Sequence, residues 1–242
     1  MFPHLKAFLT PAWAVDRKWQ IAEPGECRPV ISGPVLRALT SLCIIWQWFR
    51  FLGVVLIGFL GMLHPAEFLQ LRRKDILLPQ DSLHSEPVFY IHISNPKTSR
   101  FARRQHCKID EPLVLEYVVK VFGDLPPHES LFGGGPSVFR RRWDAAFARL
   151  GIPTSQRQKG ATPAVLRGSG ATHLYLMSED MAKVQWRGRW AQIKTVEHYV
   201  QEVAAQTLVS RLDPLSKQRV KAFEEASDYL LLNFLDVEVS KQ

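Results

Sequence analysis

The sequence predicts a mainly α fold carrying a small β-hairpin or sheet, an α+β domain. Three observations predict it. Apolar residues recur at helical spacing in most segments, most clearly from Ser137 to Leu150. One stretch instead alternates and is rich in β-formers, Pro87-Val-Phe-Tyr-Ile-His-Ile-Ser94. The composition, 46% apolar and 22% charged over 242 residues, is that of a globular chain able to bury a substantial core.

Residues 1–32 are rich in Pro and Trp, have weak periodicity and are expected to form a linker or the remnant of something larger. Gly33-Pro34 opens a helix over Val35 to Trp46. A very apolar second helix is expected from Trp48 to Met62, and Pro65 starts a short third one reaching Leu71. The period then changes to two. Strand Pro87–Ser94, punctuated by Asn95-Pro96, is expected to pair with Phe101–Ile109 as a hairpin carrying Lys97, Arg100, Arg103, Arg104 and Lys108. Helices resume at Glu111–Phe122 and, after a Gly-rich turn, at Ser137–Leu150. Further helices are predicted over Thr162–Met177, Asp180–Arg187, Thr195–Leu212 and Pro214–Leu235. Neither an internal repeat nor a low-complexity segment is visible, and 33–212 reads as one domain followed by an amphipathic tail at 213–242.

Lys and Arg exceed Asp and Glu by eight, a bias that favours a polyanionic partner, since phosphate neutralisation releases counterions. Cys27, Cys43 and Cys107 are unevenly spaced, with no CxxC pair, and indicate neither a disulfide framework nor a zinc site. The first residues lack a signal-peptide pattern, so secretion is not expected. Phe51 to Leu63 is an unbroken run of apolar residues and glycine, but a membrane span needs about 20 residues. A buried core helix is the expected reading, with no membrane partner.

The last third carries the chemistry. Ala161-Thr-Pro-Ala-Val-Leu-Arg167 is followed by Gly188-Arg-Trp190, and nine residues after that tryptophan comes Tyr199. A phosphate needs a fixed guanidinium, and a tyrosine nucleophile must be held beside it. This order and spacing resembles the catalytic core of the tyrosine recombinases, the phage-integrase type, over about residues 33–235. The resemblance implies their catalytic-core fold and DNA strand cleavage and rejoining through a 3′-phosphotyrosine, in site-specific recombination or integration. Tyr199 would be the nucleophile and Arg167 would donate two hydrogen bonds to the scissile phosphate. The indole of Trp190 would add a donor, and Lys97 would protonate the leaving 5′ oxygen. The chemistry calls for neither cofactor nor metal.

The resemblance departs from the family at two positions. In Gly61-Met-Leu-His-Pro-Ala-Glu67-Phe-Leu-Gln-Leu-Arg-Arg-Lys-Asp75 the arginine slot of the first motif is His64, and the histidine three residues before Arg167 is Ala164. Neutral His offers one donor in place of a charged fork. Losing one such donor costs on the order of 10²–10³ in rate, so a catalytically inactive DNA-binding relic of the same fold stands beside the active enzyme. A helical interaction protein that matches by chance is the alternative from another class. The expected partner is double-stranded DNA, held through Arg100, Arg103, Arg104, Arg140, Arg141 and Arg189, in the nucleus or cytoplasm. The resemblance also implies an N-terminal DNA-clamping domain, of which residues 1–32 would be the remnant. The C-terminal helix resembles the tail that family members dock on a neighbouring subunit of a synaptic tetramer, and packing in cis is the equal alternative.

Overall fold

Pro34 sits in the first turn of α1 (Gly33–Ile45), where its missing N–H costs nothing. One face of that helix, with Val35, Ala38, Leu39 and Leu42, is buried. In the computed structural model residues 10–16, 18, 29–81, 88–94, 106–155 and 160–237 are described. α2 (Phe49–Leu60) is the apolar run expected as a core helix, and every residue from Phe51 to Phe59 is buried. A helix apolar on all sides must be surrounded by protein or by lipid. Here other helices surround it, and no helix among the described residues is long and apolar enough to cross a membrane.

The short α3 (Pro65–Phe68) follows, one turn rather than the expected two. The strands β1 (Ile76–Leu77), β2 (Phe89–His92) and β3 (His106–Ile109) form one antiparallel sheet in the order β1-β2-β3. Tyr90 pairs with Lys108 and Ile91 with Cys107, the pairing expected of a hairpin built on these two runs. β1 was not anticipated, because two residues are too few for alternation to be read. The hairpin tip, with Lys97, Arg100, Arg103 and Arg104, lies outside the described residues.

Helices α4 (Pro112–Phe122) and α5 (Pro136–Leu150) come next. α5 ends on Gly151, whose φ of 75° is open to glycine at no steric cost. Its buried stripe stacks rings through the core: Trp143 on Phe147 at 4.4 Å and Phe139 against Phe51 at 4.8 Å. A buried indole needs a partner for its N–H, and Trp143 Nε1 donates to the Ala161 carbonyl at 2.7 Å. That bond fixes the segment leading into α6 (Val165–Ser178).

The remaining helices are α7 (Met181–Gly188), α8 (Ile193–Glu197), α9 (Glu202–Ser210), α10 (Pro214–Glu225) and α11 (Ser227–Asp236). Two predicted helices are therefore each divided. Thr195–Leu212 breaks at 198–201, where Tyr199 leaves the helix. Pro214–Leu235 breaks at Ala226, and the bend keeps both halves on α1. Phe234 stacks on Phe49 at 4.6 Å, Lys120 Nζ donates to the Leu235 carbonyl at 2.8 Å, and Val220 and Leu231 are buried. The C-terminal pair thus packs on its own chain, with Leu215, Tyr229 and Leu232 facing outward.

A candidate phosphate site at the ends of two helices

Helix termini leave carbonyls without helical partners, and cations are favoured beside them. α2 ends at Gly61 and Met62, the latter at φ 49°. α7 ends at Gly188, and Arg189 follows at φ 62°. Left-handed backbone is uncommon outside glycine, and two of the four such residues in the described chain flank this one site.

Two arginines lie between these termini. Arg167, in the first turn of α6, donates through Nη1 to the Met62 carbonyl and through Nη2 to the Gly188 carbonyl at 2.9 Å. Arg189 donates through Nη1 to the Gly61 carbonyl at 3.1 Å and through Nη2 to Glu67 Oε2 at 3.2 Å. The same Glu67 oxygen accepts the His64 backbone N–H at 2.9 Å. Both guanidiniums therefore lace the loop after α2 to the turn after α7. The pair is deep, with side-chain exposures of 6% for Arg189 and 5% for Glu67.

Trp190 and Tyr199 close the site. The Arg167 guanidinium carbon sits 4.4 Å from the Trp190 ring centre and 5.8 Å from that of Tyr199, and the two rings are 5.0 Å apart. Such cation–π stacking orients a guanidinium while leaving it charged. The rings belong to a small core of their own, built on Met62, Ala171, Val184 and Val196. Thr172 Oγ1 shares its one proton between the Gly168 carbonyl at 2.9 Å and the Tyr199 carbonyl at 3.0 Å and accepts the Gln201 N–H at 3.1 Å, at the break between α8 and α9. Glycine makes the approach possible, since a Cβ on Gly188 would fall 1.7 Å from the Trp190 ring. Arg187 anchors α7 from the other side, through Asp110 at 2.6 Å and the Lys108 carbonyl at 2.8 Å.

Burial pulls the Arg167 pKa down to about 10, helped by the like charge of Arg189 and opposed by Glu67 and the Tyr199 hydroxyl. The guanidinium stays charged at neutral pH. Its Nε is buried without a well-formed hydrogen bond. Buried polar atoms nearly always have a partner, and the group that interacts with this guanidinium on its remaining side is the Tyr199 hydroxyl.

Of the residues expected in the site, Arg167, Trp190 and Tyr199 converge. Both terminal nitrogens of Arg167 are already engaged, where two bonds to phosphate had been expected. His64 caps α3 and is half-buried, and Ala164 at the start of α6 has no donor to offer. Lys97, Arg100, Arg103 and Arg104 lie outside the described residues. Arg189, expected among the DNA-binding residues and as a conceivable substitute for the missing phosphate-handling groups, turns inward to Glu67 and the Gly61 carbonyl. Arg140 pairs with Asp144 at 2.8 Å and donates to the Thr154 carbonyl, and Arg141 is exposed. Arg142 lies over the rings of Trp48 and Phe132.

Glu67 was legible as the glutamate that matches the first motif, but its pairing with Arg189 was not, nor were the roles of Met62 and Thr172. Only the run of small residues after Arg167, Gly168-Ser-Gly-Ala-Thr172, hints that something packs closely there. Among the described residues no cluster of His, Cys, Asp and Glu is placed to hold a metal. No protein-family model matches the chain, and no curated protein matches it.

Proposed function

We propose that the chain is the catalytic domain of a tyrosine-recombinase-type DNA strand transferase. The supporting observation is the convergence of Arg167, Trp190 and Tyr199, distant in sequence, in one small cluster. Under this reading the fold is the recombinase catalytic core, and duplex DNA is the substrate. The net charge of +8 suits that partner.

In the reaction the Tyr199 oxygen attacks the scissile phosphorus and its phenolic proton passes to solvent. The bond from phosphorus to the 5′ oxygen breaks, and Lys97 supplies the proton that this leaving oxygen takes up. The product is a 3′-phosphotyrosine and a free 5′ hydroxyl. A 5′ hydroxyl then attacks the phosphotyrosine and gives its proton back to Lys97, the bond from phosphorus to the Tyr199 oxygen breaks, and the phenolate takes a proton from solvent. Arg167 balances the charge that builds on the non-bridging oxygens. Its Nε has no well-formed bond to give up, and engaging a terminal nitrogen requires exchange of the Met62 or Gly188 carbonyl for a phosphate oxygen. Among the described residues, Leu215, Tyr229, Leu232 and Val237 are the outward apolar side chains of the C-terminal segment available to self-association in a synaptic assembly.

A second reading is favoured by His64 and Ala164: a DNA-binding protein of the same fold that no longer cuts. One experiment separates the two. The purified protein is incubated at low salt with a nicked duplex that traps covalent intermediates, beside Tyr199→Phe. The expected result is a denaturation-resistant protein–DNA adduct that vanishes in the variant. DNA binding without adduct, with adduct formation restored by His64→Arg plus Ala164→His, would establish the inactive relic. Neither binding nor adduct would end both readings in favour of an interaction protein.

A further inference from the structure

Two buried guanidiniums and one buried carboxylate meet at the ends of α2 and α7. Arg167 is 7% exposed, and the Arg189–Glu67 pair is equally enclosed. The formal charges of the three sum to +1. Carbonyls at the two helix ends offset part of this charge without carrying a formal negative one. An excess of charge held away from water is costly unless a counter-ion reaches it. Arg167 Nε is the buried donor left without a well-formed bond. Arg189 is the left-handed C-cap of α7, closed by the Trp190 backbone N–H on the Gln185 carbonyl at 3.1 Å, and from there its side chain turns inward. A second cation is thus held beside Arg167 by an enclosed ion pair and a helix-end carbonyl. Beside Glu67, a cleft of about 510 Å³ opens past Gln70, Arg72, Lys74, Asp75 and Ser94.

We infer that Arg189 and Glu67 set the oxyanion affinity of the Arg167 site. Arg189 adds the second positive charge and holds the turn carrying Trp190 against the end of α2, and Glu67 is the internal counter-charge that tempers the pair. The ligand chemistry is a tetrahedral phosphate oxyanion. Arg189 is a positioning residue acting through Arg167 and Trp190, and it takes up the charge that His64 does not provide. This deepens the strand-transfer reading and rests on it for the identity of the natural ligand, a phosphodiester of duplex DNA.

The two substitutions Arg189→Met and Glu67→Gln act in opposite directions if charge governs the site. The first removes a positive charge and the second a negative one, in side chains of similar length. The probe is inorganic phosphate, titrated into the full chain by calorimetry against chloride at matched ionic strength. Arg189→Met is expected to weaken phosphate binding by about tenfold to a hundredfold, the worth of a charged hydrogen bond. Glu67→Gln is expected to tighten it. Should Arg189→Met fail to fold, Arg189→Lys keeps the charge without the fork and is expected to retain phosphate binding within about tenfold of wild type. Phosphate binding that weakens in both variants in step with their loss of thermal stability would make the pair purely structural and overturn the inference. So would an unmodified chain that does not distinguish phosphate from chloride, or an Arg189→Lys chain that no longer does.

The adduct assay keeps this inference apart from the strand-transfer reading. Opposed shifts in phosphate affinity with no adduct in the unmodified chain would leave the anion site standing and end the strand-transfer reading. An adduct whose rate and phosphate affinity ignore both substitutions would do the reverse.

Discussion

At the scale of single residues, the candidate site depends on how closely backbone and rings approach. Gly188 carries the Trp190 ring so near that any Cβ would fall inside it, at 1.7–2.6 Å from three ring atoms. Gly188→Ala must therefore push the indole off the Arg167 guanidinium. The residue lies at a helix end, so the effect on the rest of the fold is small. Displacement by about 1 Å in a reacting constellation costs on the order of 10² in rate. Adduct formation by Gly188→Ala is expected to slow by about that factor, with a far-UV circular dichroism spectrum like that of the parent. An unchanged rate would show that the Trp190 stack has no part in the chemistry. Arg167 itself was readable from spacing alone. Its bonds to Met62 and Gly188 were not, because they join residues 105 and 21 positions away.

Among the elements, the contact between α2 and α6 carries the site, because it brings the first turn of α6 to the end of α2. Glycines let the two helices meet. A Cβ on Gly170 would lie 1.9 Å from the Phe59 carbonyl oxygen, and one on Gly58 would lie 3.2 Å from Leu166 Cδ1. Gly170→Ala sets two effects against each other. Helix propensity favours alanine by about 1 kcal/mol. Overpacking against a backbone atom, which cannot rotate away, typically costs about 1–3 kcal/mol. The net expected change is a loss of up to about 2 kcal/mol in urea denaturation, with adduct formation falling as α6 shifts. A gain in stability would mean that the helices separate freely at this point. The apolar run of α2 and the amphipathic stripe of α5 were legible as elements. The two-residue β1 and the breaks at 198–201 and Ala226 were not. Helical periodicity passes through a bend unchanged, and what bends these segments is Thr172 in one case and the surface of α1 in the other.

For the whole molecule, stability is expected to depend on pH through His173. Burial holds its pKa below the ordinary histidine value, with Glu111 pulling weakly the other way, and its ring lies 5.4 Å from Phe59. The unfolded chain, with His near 6.5, therefore takes up the proton before the folded one does. Stability is full above about pH 6.5 and falls as the pH drops through that value toward the lower folded pKa. His173→Gln removes the titration, so its Tm is expected to change less than that of the parent between pH 7 and 5. Parallel curves for the two proteins would place the acid sensitivity elsewhere.

The amino-acid order alone was enough for the helical class, the buried course of α2, the β2–β3 pairing and the candidacy of Arg167, Trp190 and Tyr199. Each of these rests on spacing along the chain, which periodicity and motif offsets record. The inward turn of Arg189, its pairing with Glu67 and the docking of α10 and α11 on α1 emerged only in three dimensions. They depend on which carbonyls and carboxylates other segments bring near, and a cation in sequence looks the same whether it meets solvent or a buried glutamate.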